Sequence, residues 1–296
     1  LMMNMKGNYS GGWRVYDVGV ASRMHTNLKG RVKVLSEDFN IQLKEDTRLV
    51  LQQPRGFKTS CEEEYTNVQS ASWKQDDRMS ELPLVIAGKN QKMFVSEFCL
   101  FDYPGMFMKG NADNSLSAVH PQVPLEFGDD GDRSVKITKE ADYIAETDGT
   151  RSYPWRYIHI TADDKDMVCN TMPMRLAPAS EIADPSWIRP GKTTWEWWNG
   201  SIPYGPDVNF KSGLNIETYK YFVDFAAANG LEYILMDEGW AKSTRDPFTP
   251  NPDIDLHELI DYAKSKNVGV ILWLTWLTVE NHPTMFETFE KWGVSG

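Results

Sequence analysis

Cysteine is scarce: Cys61, Cys99 and Cys169 are the three in a chain of 296 residues. An odd number without Cys-x-x-Cys spacing argues against a disulfide framework. One pair stays open, and free, buried thiols are the expectation. Basic residues are in deficit, 31 Lys and Arg against 42 Asp and Glu, for a formal net charge of −11. That argues against a nucleic-acid partner, which would need clustered cations, and suits a solvated acidic surface. Long hydrophobic runs are missing as well. No apolar stretch reaches roughly 18 residues, so no membrane span is predicted. The opening Leu1-Met-Met-Asn-Met-Lys-Gly7 lacks the form of a secretory signal. Strand-like sequence starts almost at once, and Lys291-Trp-Gly-Val-Ser-Gly296 stops abruptly, so truncation at both ends is the expectation.

What the chain does have is a globular balance, 41% hydrophobic and 25% charged, and eleven tryptophans. Its length allows two domains. From Trp13 to about Arg175 it reads as short strands. Arg31-Val-Lys-Val-Leu35 and Phe39-Asn-Ile-Gln-Leu43 alternate with period two, as half-buried strands do. Phe94–Phe101 and Arg156–Thr161 are further strands, and turn clusters such as Tyr103-Pro-Gly105 and Gly128-Asp-Asp-Gly-Asp132 punctuate them. Such spacing predicts an antiparallel sandwich over residues 1–176. Glu97 sits inside an apolar strand; taken alone, it reads as a residue of the solvated face. Residues 177–191 carry three prolines and no period, and read as an extended linker pinned by Trp187 and Ile188.

The pattern changes at residue 192. Strands are expected at Thr193–Trp198, Glu232–Met236 and Val268–Trp276, each followed by helical spacing. Asn215 is the predicted cap of the first helix, with Ile216, Tyr219, Val223 and Ala226 as its buried stripe. Asp255-Leu-His-Glu258 has the form of a capping box, ahead of Leu256, Leu259, Ile260 and Ala263. A third helix is expected over His282–Trp292. Three strand–helix units imply a parallel sheet. A dinucleotide fold would place Gly-x-Gly-x-x-Gly after its first strand, and Glu196-Trp-Trp-Asn-Gly200 stands there instead. The expected fold over 192–296 is therefore the first three units of a (β/α)8 barrel, whose third strand is left with an open edge.

In such a barrel, chemistry lies at the C-terminal strand ends. There the chain offers Trp195, Glu196, Trp197, Trp198 and Asn199, then Asp237, Glu238 and Trp240, then Trp273 and Trp276. Strand alternation would send Trp195 and Trp197 to one face, and Glu196 and Trp198 to the other. Asp237 and Glu238 would likewise point apart. Indoles beside carboxylates suit a sugar, which has an apolar C–H face and a ring of hydroxyls.

Five stretches, in order, carry a resemblance: Ser96-Glu-Phe-Cys-Leu-Phe-Asp-Tyr-Pro-Gly-Met106, Pro154-Trp-Arg156, Asp184-Pro-Ser-Trp-Ile-Arg-Pro-Gly-Lys192, Trp195-Glu-Trp-Trp-Asn199 and Met236-Asp-Glu-Gly-Trp240. The chain resembles glycoside hydrolase family 97, a family of α-glucosidases and α-galactosidases. The resemblance implies an N-terminal β-super-sandwich, a catalytic (β/α)8 barrel and an active-site calcium ion. It makes Glu97 a calcium ligand, and leaves the catalytic acid and the nucleophile or base to residues beyond Gly296. It also implies an oligosaccharide or α-glycoside substrate and a periplasmic location. Trp292-Gly-Val-Ser-Gly296 resembles the lead-in to the strand that carries the nucleophile of the retaining, α-galactosidase-like branch. The alternatives are the inverting α-glucosidase branch and a carbohydrate-binding protein without turnover. The 296-residue chain alone is expected to be inactive.

Overall fold

The computed structural model describes residues 1–74 and 76–296. The chain forms two compact units. One comprises Leu1–Glu126 and Lys139–Glu181; the other comprises Phe127–Thr138 and Ile182–Gly296.

The first unit is mostly antiparallel β-sheet. Its large sheet runs in the order Met2–Met5, Tyr9–Tyr16, Gly19–Val34, Trp155–Thr161, Lys92–Phe98, Leu84–Ala87, Arg48–Gln52, Tyr65–Gln69, and Ala145–Ser152 also pairs with Gly19–Val34. A smaller sheet joins Asn40–Gln42, Ser115–Val119 and Phe107–Gly110. Leu49, Leu51, Leu84, Ile86 and Val95 of the large sheet share one core with Met108 and Leu116 of the small one. They are fully buried, each worth roughly 1.5–3 kcal/mol on transfer from water. Two sequence expectations are revised here. Arg31–Leu35, expected as a short strand, is the end of one long strand, Gly19–Val34, along whose second half Ala145–Ser152 pairs. Cysteines 61, 99 and 169 are free, as expected, but Cys61 and Cys169 are exposed.

In the second unit, Thr193–Trp195, Tyr233–Met236 and Gly269–Leu272 form a parallel three-stranded sheet in chain order. The crossover helices are Ile216–Ala228 and Leu256–Ser265. Both caps behave as the residue types require: Asn215 accepts from Thr218 N–H at 3.0 Å, and Asp255 from Glu258 N–H at 3.0 Å. Tyr219, Val223 and Ala226 pack with Leu256, Leu259, Ile260 and Ala263 against Ile234, Met236 and Val270.

The strand ends depart from expectation. The first strand stops at Trp195, and Glu196–Asn199 turn into a short 3-10 helix closed by Gly200 at φ 62°. The third stops at Leu272; Trp276 opens the helix Trp276–Asn281 and is exposed. The expected helix His282–Trp292 begins later, at Met285. The edge of the third strand is not bare. Ser295 N–H donates to Val270 O at 2.8 Å, and Leu272 N–H to Gly296 O at 3.0 Å. Within 177–191, Trp187 and Ile188 are exposed rather than pinned. No helix among the described residues is long and apolar enough to cross a membrane.

Candidate functional site

The C-terminal ends of the first two parallel strands meet at Glu196. Only 2% of it is exposed. Its Oε1 accepts from the Tyr219 hydroxyl at 2.7 Å and from Asp237 N–H at 2.7 Å. Its Oε2 is buried and has no partner among the described residues. Burial pushes this carboxyl above the ordinary range, and the Tyr219 and Asp237 hydrogen bonds only partly oppose it. Tyr219, which the helical spacing marked as core, is thus also the residue that orients Glu196.

Asp237 is held from both sides. Trp195 Nε1–H donates to its Oδ2 at 2.6 Å, and Glu238 N–H to its Oδ1 at 2.6 Å. Glu238 pairs instead with Arg133, whose guanidinium lies 5.7 Å from the centroid of the Trp273 ring. Arg133 comes from the hairpin of Pro124–Asp130 and Ser134–Glu140, whose tip belongs to this unit. In the sequence that segment is only turn punctuation, and no local pattern marks Arg133 as a site residue.

The expected alternation of tryptophans fails, because the chain leaves extended geometry at Glu196. Trp195, Trp197 and Trp198 gather in one cluster instead. Trp195 stacks on Trp197 at 5.5 Å, and Trp198 meets them edge-on at 5.2 and 5.6 Å. Trp197 and Trp198 are exposed.

Two cavities of about 330 Å³ open at these ends, the low end of the usual size for a small-molecule site. One is lined by Arg133, Glu196, Trp197, Asp237 and Glu238, among others. The other is lined by Asp132, Glu238, Trp240, Thr244 and Trp273, among others. Glu238 borders both. Trp240 is 2% exposed, donates to Trp273 O at 2.8 Å, and packs edge-on to Phe289. Asn199 lines neither; with Trp195 it borders a third cavity, of about 380 Å³, on the side of Tyr221 and Phe225, and its side chain donates to Ile202 O at 3.3 Å.

Glu97 belongs to the first unit, where the antiparallel register sets it directly opposite Arg156. Arg156 is 4% exposed. It grips Glu37 with a two-pronged contact, Nε to Oε1 at 2.7 Å and Nη2 to Oε2 at 2.8 Å, and reaches Glu97 with Nη1. Met106 N–H donates to both Glu97 oxygens, at 3.0 and 3.1 Å. Burial raises the Glu97 carboxyl to about 7, against the pull of Arg156 and the Met106 amide. Burial also acts to raise Glu37, but the guanidinium fork prevails and holds that carboxyl below its ordinary value. The contrast follows from the surroundings: Glu37 takes two Arg156 donors and is lowered further by His120 and Tyr103, whereas Glu97 takes one Arg156 donor and is raised further by the charge of Glu37.

A calcium ion calls for six to eight oxygen ligands. Here the donor set is one carboxylate already bonded to a cation and an amide. Among the described residues, no group of three or more His, Cys, Asp and Glu is placed to hold a metal. These residues do not make a calcium site by themselves.

A β-rich unit is followed along the chain by parallel strand–helix units with indoles and carboxylates at the strand ends. The chain belongs to glycoside hydrolase family 97: the description "Glycosyl-hydrolase 97 N-terminal" matches residues 2–178, and "Glycoside hydrolase 97" matches residues 197–296. A protein named retaining alpha-galactosidase, from Bacteroides thetaiotaomicron, is 35% identical over 287 residues, 92% of this chain and 43% of that protein. A probable retaining alpha-galactosidase from Streptomyces bingchenggensis is 34% identical over 157 residues, 51% of this chain and 23% of that protein. Among solved structures, a family 97 enzyme from Pseudoalteromonas sp., in complex with acarbose, superposes with a TM-score of 0.76. It is 20% identical, with 97% of this chain and 43% of that one covered, and supports the fold alone. The chain spans less than half the length of these relatives.

Proposed function

We propose that this sequence belongs to a retaining, α-galactosidase-like glycoside hydrolase that removes terminal α-linked sugars, and that residues 192–296 are the first three units of its (β/α)8 barrel. The β-rich unit is read as the family's super-sandwich. The observation that carries the function is the strand-end cluster: Glu196, Asp237 and Glu238 beside the Trp195–Trp197 stack, around a cavity of about 330 Å³. The identity with the Bacteroides relative favours galactose over glucose.

The residues present bind and orient. Trp197 offers an indole face to the apolar side of a pyranose. Asp237 and Glu238 accept from its hydroxyls, with Asp237 fixed by the Trp195 indole N–H. Trp240 backs the site through its bond to Trp273 O. Retention needs two carboxyl groups about 5 Å apart across the scissile bond. By the family resemblance neither lies within these 296 residues, so the chain alone is proposed to be inactive. Calcium enters the proposal through Glu97 alone, as one carboxylate ligand, and a periplasmic location rests on the resemblance.

The test is an assay of the protein carrying the complete barrel on aryl α-galactosides and aryl α-glucosides, with chelator and with calcium restored. Faster turnover of the galactoside, lost on chelation and regained with calcium, is expected. Faster turnover of the glucoside would move the protein to the α-glucosidase branch. No turnover of either would refute the enzymatic reading. Turnover by the 296-residue chain would overturn its proposed inactivity.

A further inference from the structure

Arg133 stands out because stability gives it little to do. Its ion pair with Glu238 is open to water, with the two side chains 58% and 34% exposed, and such pairs stabilise little. The hairpin tip is fastened without it. Thr244 Oγ1 donates to Asp132 Oδ2 at 2.9 Å, and Arg245 bonds Gly131 O, Asp132 O and Asp129. Those contacts hold the tip over the strand ends, so the Arg133 guanidinium, paired with Glu238, is not needed to fasten it. It lies beside the Trp273 ring and borders the cavity that Glu196, Asp237 and Glu238 line.

A second observation points to a ligand there. Glu196 Oε2, in a side chain 98% buried, faces no donor. A buried polar atom left without a partner is costly, and a ligand hydroxyl, which both donates and accepts, would satisfy it. The other charged groups around the cavity, Asp237 and Glu238, are carboxylates that accept and do not donate, and the remaining side-chain donors are the neutral Trp197 indole and Ser201 hydroxyl. Arg133 is the strong donor among them. A sugar hydroxyl both donates and accepts, so a cavity that reads sugars needs both kinds of partner.

We infer that Arg133 is a specificity-determining residue of the sugar pocket, working with Glu238 as a paired donor and acceptor for two neighbouring hydroxyls of a pyranose. The inference rests on the reading of the strand ends as a sugar site. The planar guanidinium offers donors in a fixed fork, so it selects the orientation of one hydroxyl relative to the next, which a lysine ammonium on a flexible stem does not.

Calorimetric titration of the 296-residue chain with methyl α-galactopyranoside, methyl α-glucopyranoside and the monodeoxy galactosides tests it. Arg133→Met is expected to weaken galactoside binding about tenfold or more, the range for a hydrogen bond to a charged group. It is also expected to remove the difference between the parent sugar and one monodeoxy analogue that the unsubstituted chain discriminates. Arg133→Lys, which keeps the charge, is expected to fall between the two in affinity and to lose the same discrimination. Equal affinity and equal discrimination in Arg133→Met overturn the inference and leave the sugar site standing. A loss of the same factor for every analogue shows a structural role and also overturns it. No binding of any of these sugars by the unsubstituted chain overturns the inference and the sugar site together.

Discussion

The indole N–H of Trp195 donates to Oδ2 of Asp237 at 2.6 Å, joining the ends of the first and second parallel strands. The register places Trp195 opposite Leu235, two residues short of Asp237, so the indole reaches forward along the sheet. Trp195→Phe keeps a ring to stack on Trp197 and removes the donor. Loss of a hydrogen bond to a charged acceptor should destabilise this unit by about 1–3 kcal/mol and weaken sugar affinity, because Asp237 is then held from one side only. Denaturant unfolding and sugar titration measure the two effects. Unchanged values in both would show that the contact does not organise the site.

Arg156 pairs with both Glu37 and Glu97 in the β-rich unit. Arg156→Met would leave both carboxylates without their cation. Breaking a buried pair in this way destabilises by about 3–5 kcal/mol. Arg156→Lys should rescue only part of the loss, since an ammonium cannot fork onto Glu37. Urea midpoints for the two variants check this, and equal midpoints would argue against the two-pronged contact.

Glu196 makes stability depend on pH. Its folded carboxyl is raised above its ordinary value, chiefly by burial, so the folded state holds the proton to higher pH than the unfolded state. That contribution is complete below the unfolded carboxylate value and is lost as pH rises through the folded one. Glu196→Gln cannot titrate, and it can set its amide where Oε2 has no partner. Melting temperatures from pH 4 to 8 should therefore fall for the native chain relative to Glu196→Gln as pH rises. A constant difference across that range would count against a raised Glu196.

Gly110 ends a strand in the small sheet of the first unit, where a Cβ would meet Trp73 O at 2.3 Å and the Trp73 ring at 3.0 Å. The obstacle is backbone, so it cannot swing aside. Gly110→Ala should destabilise by about 1–3 kcal/mol. Calorimetry reads the shift, and a variant as stable as the native chain would mean that Trp73 sits further off.

Much of the fold was readable from local pattern. The caps at Asn215 and Asp255, the stripe Leu256–Ala263 and the three parallel strands follow from side-chain chemistry and periodicity within a dozen residues. The family resemblance was readable too, because its motifs are short and contiguous. Strand ends were less readable. A run of β-branched and aromatic residues does not say where extended geometry stops, and the turn at Glu196 undid the alternation argument for three tryptophans.

The chain's residue order thus settles that carboxylates and indoles stand at the ends of parallel strands, since hydrophobic period and capping act between near neighbours. Which of them meet is decided only when the chain is folded. Glu196 with Tyr219, Glu238 with Arg133, and Glu97 with Arg156 are separated by 23, 105 and 59 residues. No local pattern encodes such pairs. They form because packing buries a charge or an acceptor and the fold must bring it a partner, as it has for Glu97, and has not yet for Oε2 of Glu196.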